Sequence, residues 1–130
     1  MKNIFQPGDI KMYSKEVLPD DVASFHGEVV HYVCSTFTLA REIEYASRLF
    51  VLEMKDDDEE GIGTQLEIKH LSPAFVGQQI DISVTIKSIQ KNELICDYEV
   101  KVGDRLITTG ITGQKILKKD RIKEIFSTFE

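Results

Sequence analysis

Cysteine is scarce in this chain: Cys34 and Cys96 are the only two in 130 residues. Their positions match no metal-ligand spacing, and they read as buried free thiols rather than as a disulfide framework. Long apolar runs are missing too, since none approaches the roughly 20 residues of a membrane span. The opening residues, Met1 to Asp9, hold no apolar signal core, so the sequence predicts a cytoplasmic chain. There is no Gly-rich phosphate loop, no helical His-Glu-x-x-His and no Cys-x-x-Cys, which excludes P-loop NTPases, zincins and zinc fingers and calls for no metal. Basic charge is in deficit, with 16 Lys and Arg against 22 Asp and Glu, a net −6. Neutralising a phosphate backbone needs a basic surface, so nucleic acid is not the expected partner, and neither is a membrane. Repeats, low-complexity stretches and internal linkers are also absent.

What is present suits one soluble domain over residues 1–130: 42% hydrophobic and 29% charged residues. A chain of this size buries roughly two-thirds of its unfolded surface, enough for a core without staples. Much of the acidity is local, in the run Asp56, Asp57, Asp58, Glu59 and Glu60, which reads as a solvated loop. One basic cluster, Lys115, Lys118, Lys119, Arg121 and Lys123, reads as the wet face of a terminal helix or as a site for a phosphorylated group.

The periodicity changes along the chain. Residues 9–18 have strand character, broken by Pro19-Asp20-Asp21, and residues 22–34 are ambiguous. From about Ser35 to Lys55 the apolar stripe Leu39, Ile43, Ala46 and Phe50 follows helical steps, with Arg41, Glu42 and Arg48 towards the other side. Ser35, Thr36 and Thr38 are each able to cap that helix. Residues 63–71, 78–89, 93–102 and 106–117 then read as strands, with period-two alternation clearest in Ile80, Ile82, Val84 and Ile86. A short amphipathic helix with Ile122, Ile125, Phe126 and Phe129 closes the chain. Meander strands with one dry face need a cover, and the long helix is the available one. The pattern therefore predicts an α+β hotdog fold, an antiparallel β-sheet wrapped around one long central helix. One helix covers little sheet, so a homodimer, or a tetramer built from it, is expected.

Three residues stand out chemically. His70 shares a strand face with Leu66 and Ile68, which aims it inward, either as a packed core imidazole or as a functional one. Glu44 borders the apolar stripe of the helix, where it either pairs with Arg48 or Arg41 or meets His70 at the helix–sheet seam as a general-base pair. Thr36 lies two turns upstream, about 12 Å along the axis, and either caps the helix or flanks the same crevice. His26 and His31 read as packing or solvent-facing. Cys34, near the helix start, is expected to have a lowered pKa.

The stretch Ser35-Thr36-Phe37-Thr38-Leu39-Ala40-Arg41-Glu42-Ile43-Glu44-Tyr45-Ala46 resembles the central helix of the fluoroacetyl-CoA thioesterase-like hotdog proteins, where a Thr precedes a Glu-aromatic-Ala at this spacing. The stretch Gly63-Thr64-Gln65-Leu66-Glu67-Ile68-Lys69-His70-Leu71-Ser72-Pro73, followed by Val76-Gly77, resembles that family's Gly-Thr strand, its His and the Pro and Gly beyond. The resemblance implies that Thr36, Glu44 and His70 are catalytic and that the backbone of Gly63 lines the acyl site. One departure stands beside the resemblance: the family's founding enzyme carries a longer aromatic-rich lid between the first strand and the helix, whereas residues 19–34 here are shorter and hold only Phe25 and Tyr32 as aromatics. The implied activity is hydrolysis of an acyl-CoA thioester, with coenzyme A entering as part of the substrate and no separate cofactor. A hotdog dehydratase or hydratase, and a non-catalytic acyl-CoA binder, are the alternatives.

Overall fold

The computed structural model describes residues 1–130. Five strands form one antiparallel sheet in the order β1-β5-β6-β7-β4: β1 is Ile10–Glu16, β4 Glu59–His70, β5 Gln79–Gln90, β6 Glu93–Val102 and β7 Arg105–Lys118. The long helix α1, Thr36–Met54, lies across the inner face of this sheet. Its stripe of Leu39, Ile43, Ala46 and Phe50 is buried against Ile80, Ile82, Val84 and Ile86 of β5 and Leu94, Cys96 and Val100 of β6. Each buried branched side chain contributes about 1.5–3 kcal/mol, so this contact is what holds helix to sheet.

The ambiguous residues 22–34 are a hairpin, β2 Val22–Phe25 and β3 Glu28–Cys34, separate from the main sheet. His26 (φ 53°) and Gly27 (φ 81°) make its two-residue turn, whose backbone requires positive φ at both positions. The hairpin is mostly exposed, with Phe25 and Tyr32 on its surface. Its base is tied to the body by Cys34 N–H donating to the Ala74 carbonyl (2.8 Å).

One boundary and the placement of three acids differ from the sequence expectation. The strand expected from residue 63 begins at Glu59, so only Asp56–Asp58 of the acidic run lie outside strand structure. Glu59 is buried and pairs with the Met1 amino group, and Glu60 pairs with Arg48 (2.7 Å). Cation partners therefore draw acids into the fold that charge alone assigned to solvent. Glu42 is likewise buried, beside Arg41 (3.1 Å). The closing helix α2, Lys119–Ser127, forms as expected, but buries no residue.

Candidate functional site

At the start of α1 the cap is Ser35, whose Oγ accepts from the Thr38 N–H (3.0 Å). That leaves the hydroxyl of Thr36, the first helical residue, for another task. Its Oγ1 lies 2.9 Å from His70 Nε2, a hydrogen bond between helix start and strand end. Both residues are exposed to a cavity of about 360 Å³ that is mostly carbon-lined, including Leu39, Leu71 and Ala74. His31 of β3 also lines it, so this histidine belongs to the site region that sequence reading assigned to packing or solvent. Directly across the ladder from His70 is Thr108, fully buried, with Oγ1 unpartnered.

Glu44 is exposed and makes neither ion pair that its helix neighbours offered. Arg48 is taken by Glu60 (2.7 Å), and Arg41 by Glu42 (3.1 Å) and Asp21 (3.9 Å). The Glu44 carboxylate instead faces Gly63, where a Cβ would stand 3.8 Å from its Oε1. Both line a second cavity of about 290 Å³, with Tyr45, Gln65, Thr112 and Gln114. It is polar, and its floor is a buried pair: Gln114 Nε2 donates to Ser47 Oγ (2.8 Å), which donates to the Glu44 carbonyl (3.0 Å).

Gly63 and His70 are an odd number of residues apart, so a regular strand would turn them to opposite faces. In β4 the register steps from Gly63↔Gln114 to Gln65↔Gly113, leaving Thr64 as an extra residue. This bulge inverts the alternation, so Gly61 and Gly63 before it and Leu66, Ile68 and His70 after it all face inward.

The four residues form two pairs rather than one cluster. Thr36 with His70 lines one cavity and Glu44 with Gly63 the other. The carboxylate–imidazole pair expected at the helix–sheet seam is not made within the chain, because Glu44 lies two helical turns beyond the end that His70 reaches.

Other expectations change as well. Burial pushes the Cys34 thiol up to about 11, opposite to the lowering expected near a helix start. In the basic cluster, Lys118 is held by Asp58 (3.0 Å) and Arg121 by Glu124 (3.1 Å), which weakens it as a phosphate site. No group of three or more His, Cys, Asp or Glu gathers to hold a metal. A wider depression of about 600 Å³ on the outer sheet face is lined by Glu67, Ser83, Thr85 and Asp97 and touches none of the candidate residues. Sequence reading missed Ser47 and Gln114. The inward alternation of Thr112, Gln114 and Ile116 was the available signal for the glutamine.

Comparison with known proteins places these features in context. The family model for FlK, fluoroacetyl-CoA-specific thioesterase, matches residues 17–120. A hypothetical protein of Thermus thermophilus, described as a thioesterase superfamily member, is 26% identical and superposes with a TM-score of 0.91, covering 98% of this chain and 94% of its own. A point mutant of the fluoroacetyl-CoA-specific thioesterase FlK is 14% identical, with a TM-score of 0.89 over 99% of this chain and 100% of that one. A hot-dog-like protein from Thermanaerovibrio acidaminovorans is 16% identical, with a TM-score of 0.87 over 97% and 94%. Comparison with curated proteins gives no match.

Proposed function

This chain belongs to the fluoroacetyl-CoA-specific thioesterase family and is an acyl-CoA thioesterase, and we propose that Thr36, Glu44, His70 and the backbone of Gly63 carry out its chemistry. The observation that supports this assignment best is the Thr36–His70 hydrogen bond of 2.9 Å, made by a threonine that the Ser35 cap leaves free. An unpaired Glu44 carboxylate facing a glycine is the second support.

Thioester hydrolysis forms a carbon–oxygen bond and breaks the carbon–sulfur bond. Glu44 serves in one of two ways. As a base it takes a proton from the attacking water; as a nucleophile it forms a mixed anhydride that water then cleaves. Either course ends in the free acid and the coenzyme A thiol, with the proton passed to sulfur. Backbone N–H groups at the start of α1 or at Gly63 stabilise the developing oxyanion. Thr36 holds His70 against the reacting group. No cofactor is required beyond the coenzyme A of the substrate.

The site is completed by a two-fold homodimer. β4 is an edge strand with a free ladder along its outer side, the kind of edge that pairs with a second chain. An antiparallel two-fold centred on Glu67 sets Leu66 against Ile68 of the partner subunit. Because the bulge absorbs Thr64, the same register sets Gly63 against His70 of the partner subunit, with inward faces matched throughout. The carbon-lined cavity by His70 then takes the acyl group, and Glu44 comes from the opposite protomer. We also read the enzyme as cytoplasmic: both cysteines are free thiols, and no helix is long and apolar enough to cross a membrane.

Free-thiol release from a panel of CoA thioesters, from acetyl to long-chain acyl, tests the activity. Turnover on at least one member is expected. Tight binding across the panel without thiol release would instead make the chain an acyl-CoA binder.

A further inference from the structure

The polar cavity beside Glu44 holds a second side-chain acceptor, on Gln114. Gln114 is 8% exposed, and its amide nitrogen is committed to Ser47 Oγ (2.8 Å). Ser47 is itself fully buried and fixed on the Glu44 carbonyl, so the amide is held in one orientation. Its other end, Oε1, has no hydrogen-bond partner within the protein and looks past Gly61, where a Cβ would stand 3.4 Å from it. Two residues along the same strand face, a Cβ at Gly63 would stand 3.8 Å from Glu44 Oε1. Positions two apart on one face are separated by about 7 Å. Two acceptor oxygens, one amide and one carboxylate, thus stand over neighbouring glycines in one polar space.

A water molecule has two protons to donate and is stabilised in a buried site by two to four polar partners. We propose that Gln114 is a positioning residue for the hydrolytic water: water in this cavity donates one proton to Gln114 Oε1 and the other to Glu44, directly or through a second water, which leaves an oxygen lone pair free to attack. The inference rests on the thioesterase reading of the site and holds for both courses open to Glu44, because water attacks either the thioester or the anhydride. It divides the two cavities by chemistry: the carbon-lined one takes the acyl group, and the polar one delivers water from the other side. The absence of a side chain at Gly63 keeps that approach open, whereas Gly61 lies against Val51 of α1, whose Cγ1 would stand 2.9 Å from a Cβ there. Arg48, also near Gly61, is held by Glu60 (2.7 Å).

The test uses the best acyl-CoA substrate found, with hydroxylamine added as a competing nucleophile, which converts the acyl group to a hydroxamate with the same release of thiol. In Gln114→Leu, kcat for hydrolysis should fall about 10–100-fold with KM nearly unchanged, and the share of hydroxamate over acid should rise. Gln114→Glu keeps an acceptor oxygen and should recover most of the hydrolysis. Ser47→Ala frees the amide to rotate and should give a smaller loss with the same shift in products, which keeps the idea testable if the leucine variant melts. A hydroxamate share equal to wild type in both Gln114→Leu and Ser47→Ala would overturn the proposal, as would a raised KM with unchanged kcat. A wild-type protein that releases no thiol from any CoA ester would instead remove the thioesterase reading itself.

Discussion

Thr36 shows how a neighbour decides what a residue is free to do. A threonine at a helix start ordinarily satisfies an orphan backbone N–H. Here Ser35 does that, and Thr36 reaches His70 instead. Glu44 shows the same logic: Arg41 and Arg48 lie within helical reach, yet both are matched by other acids, so the carboxylate remains unpaired over Gly63. If these residues act on substrate, Glu44→Gln and His70→Ala should each lower kcat by at least about 100-fold while thermal melting stays near wild type. Thr36→Ala should cost less, about tenfold, because it removes one neutral hydrogen bond. Wild-type kcat in His70→Ala would return that residue to a structural role.

On the scale of elements, the β4 bulge is the device that aligns the candidate residues of that strand. One extra residue, Thr64, lets Gly63 and His70 share the inner face. Deleting Thr64 should restore regular alternation and force either the glycine end or the Leu66–Ile68–His70 end outward. We expect such a deletion to lower stability by several kcal/mol, about the cost of exposing two partly buried aliphatic side chains, and to abolish thiol release; chemical denaturation and the thiol assay read the two effects. The junction of β1, the hairpin and α1 depends on Asp21. Burial alone would raise its pKa. The Leu18 N–H (2.8 Å) and Lys15 ammonium (2.9 Å) outweigh burial and hold it below the ordinary carboxylate value. A carboxylate lowered on folding stabilises above its unfolded pKa of 3.8, and that contribution is lost as pH falls through the lower folded value. Asp21→Asn should therefore cost about 2 kcal/mol at neutral pH, with the difference from wild type shrinking below about pH 4 in denaturant titrations. A difference independent of pH would show that the carboxylate charge is not what anchors the hairpin.

At the scale of the whole molecule, the candidate residues of one chain fall into two pairs, Glu44 with Gly63 and Thr36 with His70, at opposite ends of β4, and the proposed two-fold would set each pair against the other. Mixing subunits tests this directly. Glu44→Gln and His70→Ala dimers should each be inactive. After denaturation and refolding together, about half the dimers are mixed, and each mixed dimer has one intact site and one doubly altered site. Activity should return to about a quarter of wild type. No recovery, with mixed dimers demonstrated by differential tagging, would place each site within one chain.

Much of this molecule was legible in its order of residues. The stripe of Leu39, Ile43, Ala46 and Phe50 and the alternation of Ile80 to Ile86 required a helix laid on a one-sided sheet, because each pattern exposes apolar area that only the other can cover. The inward aim of His70 followed from Leu66 and Ile68, since period two is local. What stayed hidden depends on partners distant in sequence. The hairpin of residues 22–34 has no deep apolar face to mark its strands, and its base is fixed by Ala74. The acids Glu59 and Glu60 are drawn into β4 by Met1 and Arg48. The Ser47–Gln114 pair joins helix to sheet across 67 residues. The separation of Glu44 from His70 follows from where β4 crosses α1, a distance that no residue spacing encodes.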